Sequence, residues 1–192
     1  MMPALRNVFF AAVVASSVAC GATSRPDGGE GLLAVGASAP DVSAPDQTGT
    51  VKSLSAERGH PVVVFFYPKD GTPGCTKEAC AFRDAWDKYQ AAGVQVLGVS
   101  ADDVKSKEQF AKEQSLPFPI LADPEHKWST AFGVSTKLGM MERVSFLIAP
   151  DGKIAKVYPD VDPAIHATTV LADVGAQGWS GAGATPASSS AP

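Results

Sequence analysis

Apolar runs and helical stripes alternate through the middle of the chain. Val62–Tyr67 carries no polar side chain except the tyrosine hydroxyl, the pattern of a strand buried on both faces. A helix is expected from about Pro73 to Ala92, with Gly93 as its stop, and Val94–Val99 then repeats the buried-strand pattern. Ser100 is placed to cap a helix over about Asp102–Gln114, followed by a strand at Pro119–Ala122 and a short helical region at Glu125–Phe132. Arg143–Ala149 reads as another buried strand, and Lys153–Tyr158 returns beside it after the turn Pro150–Asp151–Gly152. Asp162–Pro163 is a cap-plus-first-turn start for a last helix to about Val174. Before all of these, Asp41–Ala44 and Val51–Leu54 flank turn residues Asp46–Gly49 and suggest a hairpin.

Strand–helix–strand–helix units followed by a hairpin and a closing helix imply an α/β domain, with a mixed central sheet and helices on both faces. That order suits a thioredoxin-like fold over residues 37–174. Outside it the composition changes. Arg6 precedes the apolar run Val8–Ala19, too short to span a bilayer but fitting the core of a signal peptide. Ser17–Val18–Ala19–Cys20 resembles a lipobox, with Ser17 where leucine is usual, so residues 1–20 read as an export signal and Cys20 as a lipidation site. Residues 21–36 read as a flexible linker and 175–192 as a disordered, low-complexity tail. The expected location is the periplasmic side of a bacterial membrane, held by an N-terminal lipid.

Composition narrows the chemistry. The 192 residues are 45% hydrophobic and 19% charged, with a net charge of −4 and no basic run, which argues against nucleic-acid binding. The three histidines, His60, His126 and His166, are scattered without helical pairing, so no metal site is expected. No glycine-rich phosphate loop is present, so no nucleotide cofactor is expected either. Asp102, Asp103 and the neighbouring lysines read as a solvated helix face.

The cysteines carry more. At about 100° per residue, Cys75 falls with Ala79, Phe82, Trp86 and Tyr89 on one apolar band, whereas Cys80 falls with Lys77, Asp84, Asp87 and Lys88. Thr72 is the expected N-cap and Pro73 the first helical residue, which puts Cys75 about three positions in. Unpaired backbone N–H groups and the positive end of the helix dipole favour a thiolate there.

Tyr67–Pro68–Lys69–Asp70, Thr72–Pro73–Gly74–Cys75–Thr76, Glu78–Ala79–Cys80 and Phe82–Arg83–Asp84 closely resemble the peroxiredoxins of the Q type, or bacterioferritin-comigratory proteins. The likeness runs over about Val35–Val174, through Arg143–Ile148 and Val161–Asp162–Pro163; Gly71 stands where many relatives carry aspartate. The resemblance implies a thiol peroxidase for hydrogen peroxide and organic hydroperoxides, working without metal or flavin. Cys75 would be the peroxidatic thiol, Cys80 the resolving thiol, and Thr72 and Arg143 the groups completing the peroxide site. It further implies a Cys75–Cys80 disulfide, a thioredoxin-like reductant and a monomer. Two other readings compete with this one. A disulfide oxidoreductase would want C-x-x-C, but four residues separate Cys75 from Cys80. A copper-carrying module would want a histidine beside closely spaced cysteines, and His126 alone is poor support.

Overall fold

The computed structural model describes residues 23–179. A hairpin of β1 (Ser43–Pro45) and β2 (Val51–Ser53) leads into β3 (Val62–Phe66), α1 (Pro73–Asp84) and α2 (Trp86–Ala91). Then come β4 (Gln95–Ser100), α3 (Val104–Gln114), β5 (Ile120–Ala122) and α4 (Lys127–Phe132). A small hairpin, β6 (Thr136–Lys137) with β7 (Met140–Met141), precedes β8 (Val144–Ile148), β9 (Ile154–Tyr158) and α5 (His166–Ala176). The main sheet has the order β5-β4-β3-β8-β9, parallel from β5 to β3 and antiparallel from β3 to β9. This is the mixed sheet of a thioredoxin-like fold.

β3 lies at the centre and divides the core. Val63, Phe65 and Tyr67 point into a cluster with Cys75, Phe82, Tyr89, Phe110 and Val170, beneath α1, α2, α3 and α5. Val62, Val64 and Phe66 point the other way, onto Trp128, Phe132 and Phe146. Alternate side chains thus enter two cores, which is why the run is apolar throughout. Phe65 stacks on Phe82 with ring centroids 4.7 Å apart, fixing α1 against the sheet. Gly98 makes room for this, since a Cβ there would stand 2.7 Å from the Phe65 ring.

Several boundaries differ from expectation. The helix anticipated as one piece from Pro73 to Ala92 is two, parted at Ala85 (φ −96°, ψ 4°), where no glycine or proline marks the break. α3 is capped by Asp103, whose carboxylate accepts from Ser106 N–H at 2.8 Å, and not by Ser100. Ser100 is buried and bonded elsewhere. α5 begins at His166; the preceding Asp162 holds a separate turn, accepting from Ala164 N–H at 2.9 Å. It ends at Ala176, beyond the expected stop, and Trp179 packs against the same core cluster as α5.

The stretch expected to be a tether is ordered from residue 24. Ser24 pairs with Glu30, the Arg25 guanidinium donates to the Gly31 carbonyl at 2.7 Å, and buried Leu33 donates its N–H to the Phe132 carbonyl. Gly133 meets this segment at close range, because a Cβ there would collide with the Gly31 carbonyl. The signal segment, Cys20 and the tail from residue 180 lie outside the described residues.

Candidate active site

The parallel strand β3 delivers the chain to a loop, Tyr67–Thr72, and the loop delivers it to the start of α1. Gly71 turns it at φ 71°, a conformation that suits glycine. Pro73 occupies the first turn, and the first helical bond runs from Thr76 N–H to the Thr72 carbonyl at 2.8 Å. The N–H groups of Gly74 and Cys75 come before that bond and have no intrahelical carbonyl to meet. Cys75, 1% exposed, sits among them.

Arg143 arrives from the other direction. β8 is antiparallel to β3 with Val144 opposite Phe66, so the residue before Val144 falls beside the loop that leaves β3. The guanidinium is used as a fork: Nη2 donates to the Cys75 sulfur at 3.3 Å, and Nη1 donates to the Glu78 carboxylate. Gly74 lets it approach, since a Cβ at that position would lie 3.2 Å from Nη2.

Glu78, one turn after Cys75, is fully buried. Its Oε1 has no hydrogen-bond partner among the described residues. Burial pushes this carboxyl up to about 7, against the pull of Arg143. His166 at the head of α5 is also buried; its Nε2 lies 2.8 Å from Ser145 Oγ on β8. Burial, reinforced by the Arg143 charge, brings its imidazole down to about 4. The groups around the guanidinium therefore change charge at unusual pH values.

Of the expected site residues, the fold brings Cys75 and Arg143 into contact. Thr72 holds the N-cap backbone conformation (φ −75°, ψ 149°), but its hydroxyl caps no helix N–H. It donates back to the Lys69 carbonyl at 3.0 Å, which tightens the loop. Cys80 is half-buried on a different side of α1, its sulfur 3.6 Å from Gln114 Oε1 at the end of α3. Both are free thiols.

Sequence reasoning missed Lys107. Expected on a solvated face, its side chain is wholly buried, with Asp70 and Asp102 as charged partners. The signal was available: Lys107, Phe110 and Ala111 fall at helical spacing, and all three are buried. Glu78 was missed as a site residue for a similar reason. It lies beside Ala79 and one turn before Phe82 on the buried face of α1.

The chain is similar to known proteins. Residues 35–157 match the AhpC/TSA family. Peroxiredoxin Bcp of Escherichia coli is 41% identical over 146 residues, covering 72% of this chain and 94% of that protein. The chloroplastic peroxiredoxin Q of Oryza sativa is 42% identical over 67% of this chain, which spans 60% of that longer protein. Among solved structures, the bacterioferritin comigratory protein of Xanthomonas campestris, described for its alkyl peroxide reduction activity, aligns with a TM-score of 0.70. That alignment has 35% identity and covers 77% of this chain and 98% of the other. With a family match over more than half its length and near-complete coverage of the bacterial relative, the chain belongs to the AhpC/TSA family and to its Q/Bcp peroxiredoxins.

Proposed function

We propose that this protein is a thiol peroxidase in which Cys75 takes oxygen from hydrogen peroxide and alkyl hydroperoxides. The observation that carries the reading is the Arg143 guanidinium 3.3 Å from the Cys75 sulfur at the open end of a helix. In the first step the Cys75 thiolate attacks the terminal peroxide oxygen. An S–O bond forms and the O–O bond breaks. Charge gathers on the departing oxygen, which takes up a proton and leaves as water or an alcohol. Arg143 and the first-turn N–H groups are the donors available to that charge. Thr72 lies at the same turn, and on substrate binding its hydroxyl can turn from Lys69 to the peroxide.

Cys75 is left as a sulfenic acid. The Cys80 thiol attacks that sulfur: an S–S bond forms, the S–O bond breaks, and the departing hydroxyl takes the thiol proton and leaves as water. Five residues of intact helix separate two Cα atoms by about 7.5 Å of rise and about 140° of rotation. A disulfide wants Cα atoms closer than about 7 Å with converging Cβ vectors. The head of α1 must therefore unwind before the bond closes. An external dithiol of thioredoxin-like type then accepts the oxidation and restores both thiols. The working unit is a monomer. Val8–Ala19 and the Ser17–Cys20 motif support export and lipid attachment at Cys20, which places the enzyme where reducing equivalents must be delivered to it.

Peroxide consumption with a panel of dithiol donors tests the assignment. Cys75→Ser is expected to abolish turnover. Cys80→Ser should consume one equivalent of peroxide and then stall. Normal turnover by Cys75→Ser would end the peroxidase reading. Mass spectrometry of the mature N-terminus in wild type and Cys20→Ala tests the anchor: a diacylglyceryl mass on wild type alone is the expected result.

A further inference from the structure

Behind the loop that presents Cys75 lies a second charged cluster, built around Lys107. Its side chain is fully buried, and its ammonium meets three oxygens: Tyr67 Oη at 2.8 Å, Asp70 Oδ1 at 2.9 Å and, at short range, Ser100 Oγ. Proton counting shows how these fit. Tyr67 donates its hydroxyl proton to Asp70 Oδ1 at 2.7 Å, and Ser100 donates its own to Asp102 Oδ2 at 2.6 Å. Both hydroxyls then offer Lys107 only lone pairs, and three N–H groups of an ammonium fill the three acceptors. Asp70 is held from further sides. Its Oδ2 accepts from Ser106 Oγ at 2.8 Å, and its backbone N–H donates to Asp102 Oδ2 at 3.0 Å.

The cluster joins the end of β4, the first turn of α3 and the loop leaving β3. Asp70 is the last loop residue so held. Gly71 and Thr72 follow, and α1 begins at Pro73. We infer that Lys107 is a positioning residue for the peroxidase reaction: its buried ammonium fixes the Tyr67–Asp70 loop, and through it the register of Cys75 against Arg143. This rests on the reading of Cys75 as the sulfur that is oxidised. A loosened loop favours the unwound state of the α1 head, in which Cys75 has left the guanidinium. Oxidation by peroxide then slows, while disulfide closure, which needs unwinding, does not. Because sulfinic acid forms from the sulfenic acid still held in the folded site, a looser loop also protects against overoxidation.

The test is single-turnover kinetics on the reduced full chain with hydrogen peroxide, comparing wild type, Cys75→Ser, Lys107→Met and Ser100→Ala. Lys107→Met keeps the apolar stem and removes the donors. We expect Cys75 oxidation to slow about tenfold, since a small misplacement of a reacting atom is costly in rate. The disulfide step should be unslowed, and more peroxide should be needed to reach the sulfinic acid. Ser100→Ala removes the hydroxyl that accepts from Lys107 and donates to Asp102, leaves the charges in place and should slow oxidation about threefold in a fully folded protein, so the test survives if Lys107→Met does not fold. A purely structural lysine would lower the melting temperature and leave both oxidation rate and overoxidation dose at wild-type values. That result, in either folded variant, overturns the inference. If wild type itself is not oxidised at Cys75, it is the peroxidase reading that fails.

Discussion

Two ion pairs flank the loop between β3 and α1, one buried and one with its guanidinium partly exposed, and they are finished to different degrees. Around Lys107 every N–H finds an oxygen and both oxygens of Asp70 are occupied. Around Arg143 the fork is shared between a carboxylate and a sulfur, and Glu78 Oε1 has no hydrogen-bond partner among the described residues. A fully satisfied buried network rigidifies what it touches. An incomplete one keeps a group ready to change its charge or its partner. On the proposed reading, the first pair belongs to the frame of the site and the second to its chemistry.

The sharpest way to break this contrast is to remove one charge from the complete pair. Lys107→Met leaves Asp70 buried without its cation, and loss of one partner from a buried pair costs about 3–5 kcal/mol. Urea unfolding should show a loss of that order, and the double variant Lys107→Met/Asp70→Asn should recover part of it. Additive losses in that cycle would mean the two residues do not act as a pair.

Arg143→Met should divide its effects the other way. Glu78 can take a proton once its cation is gone, so stability changes less than in Lys107→Met. The oxidation rate should fall by about 10²–10³, the scale for a lost donor to developing charge. Stopped-flow kinetics and urea unfolding on the same sample would distinguish the two pairs. Equal stability losses with an unchanged rate would erase the difference between them.

The smallest effect is in the pH dependence. The Glu78 carboxyl is raised from 4.5 to about 7, so the folded state binds a proton that the unfolded state has released. Its contribution is fully present below about 4.5 and is lost as pH rises through about 7. His166 runs the opposite way: lowered to about 4, its contribution is present above about 6.5 and fades as pH falls through 4. In wild type the two trends offset each other, so the quantity to measure is wild type against Glu78→Gln. That difference should move against wild type by about 1–3 kcal/mol between pH 5 and pH 8. A flat difference would mean Glu78 ionises normally.

Much of this site could be read from residue order. The thiol environments separate on a helical wheel, because Cys75 shares its stripe with Phe82 while Cys80 does not. The central strand is apolar without interruption because it serves two cores. What could not be read were contacts that depend on three-dimensional closure. Arg143 reaches Cys75 only through the antiparallel register of β8 on β3. Lys107 and Glu78 carry charges that composition assigns to water, and only their partners across the fold explain their burial. Part of the stretch 21–36, expected as a tether, departs from that expectation for a related reason: over residues 24–36 a glycine-rich segment is pinned by backbone hydrogen bonds and one leucine, and its side chains do not announce it.

The interruption at Ala85 has a consequence for wear. The proposed cycle uncoils the front of α1 at each turnover, and the uncoiling needs somewhere to stop. Because α1 already ends at Asp84, where the backbone of Ala85 leaves the helical conformation, the disturbance has twelve residues to spend itself in. Beyond Ala85, Tyr89 is tied by its hydroxyl to the Ala167 carbonyl at 2.7 Å. Repeated oxidation and reduction can thus flex one short spring without working loose the body on which it is mounted.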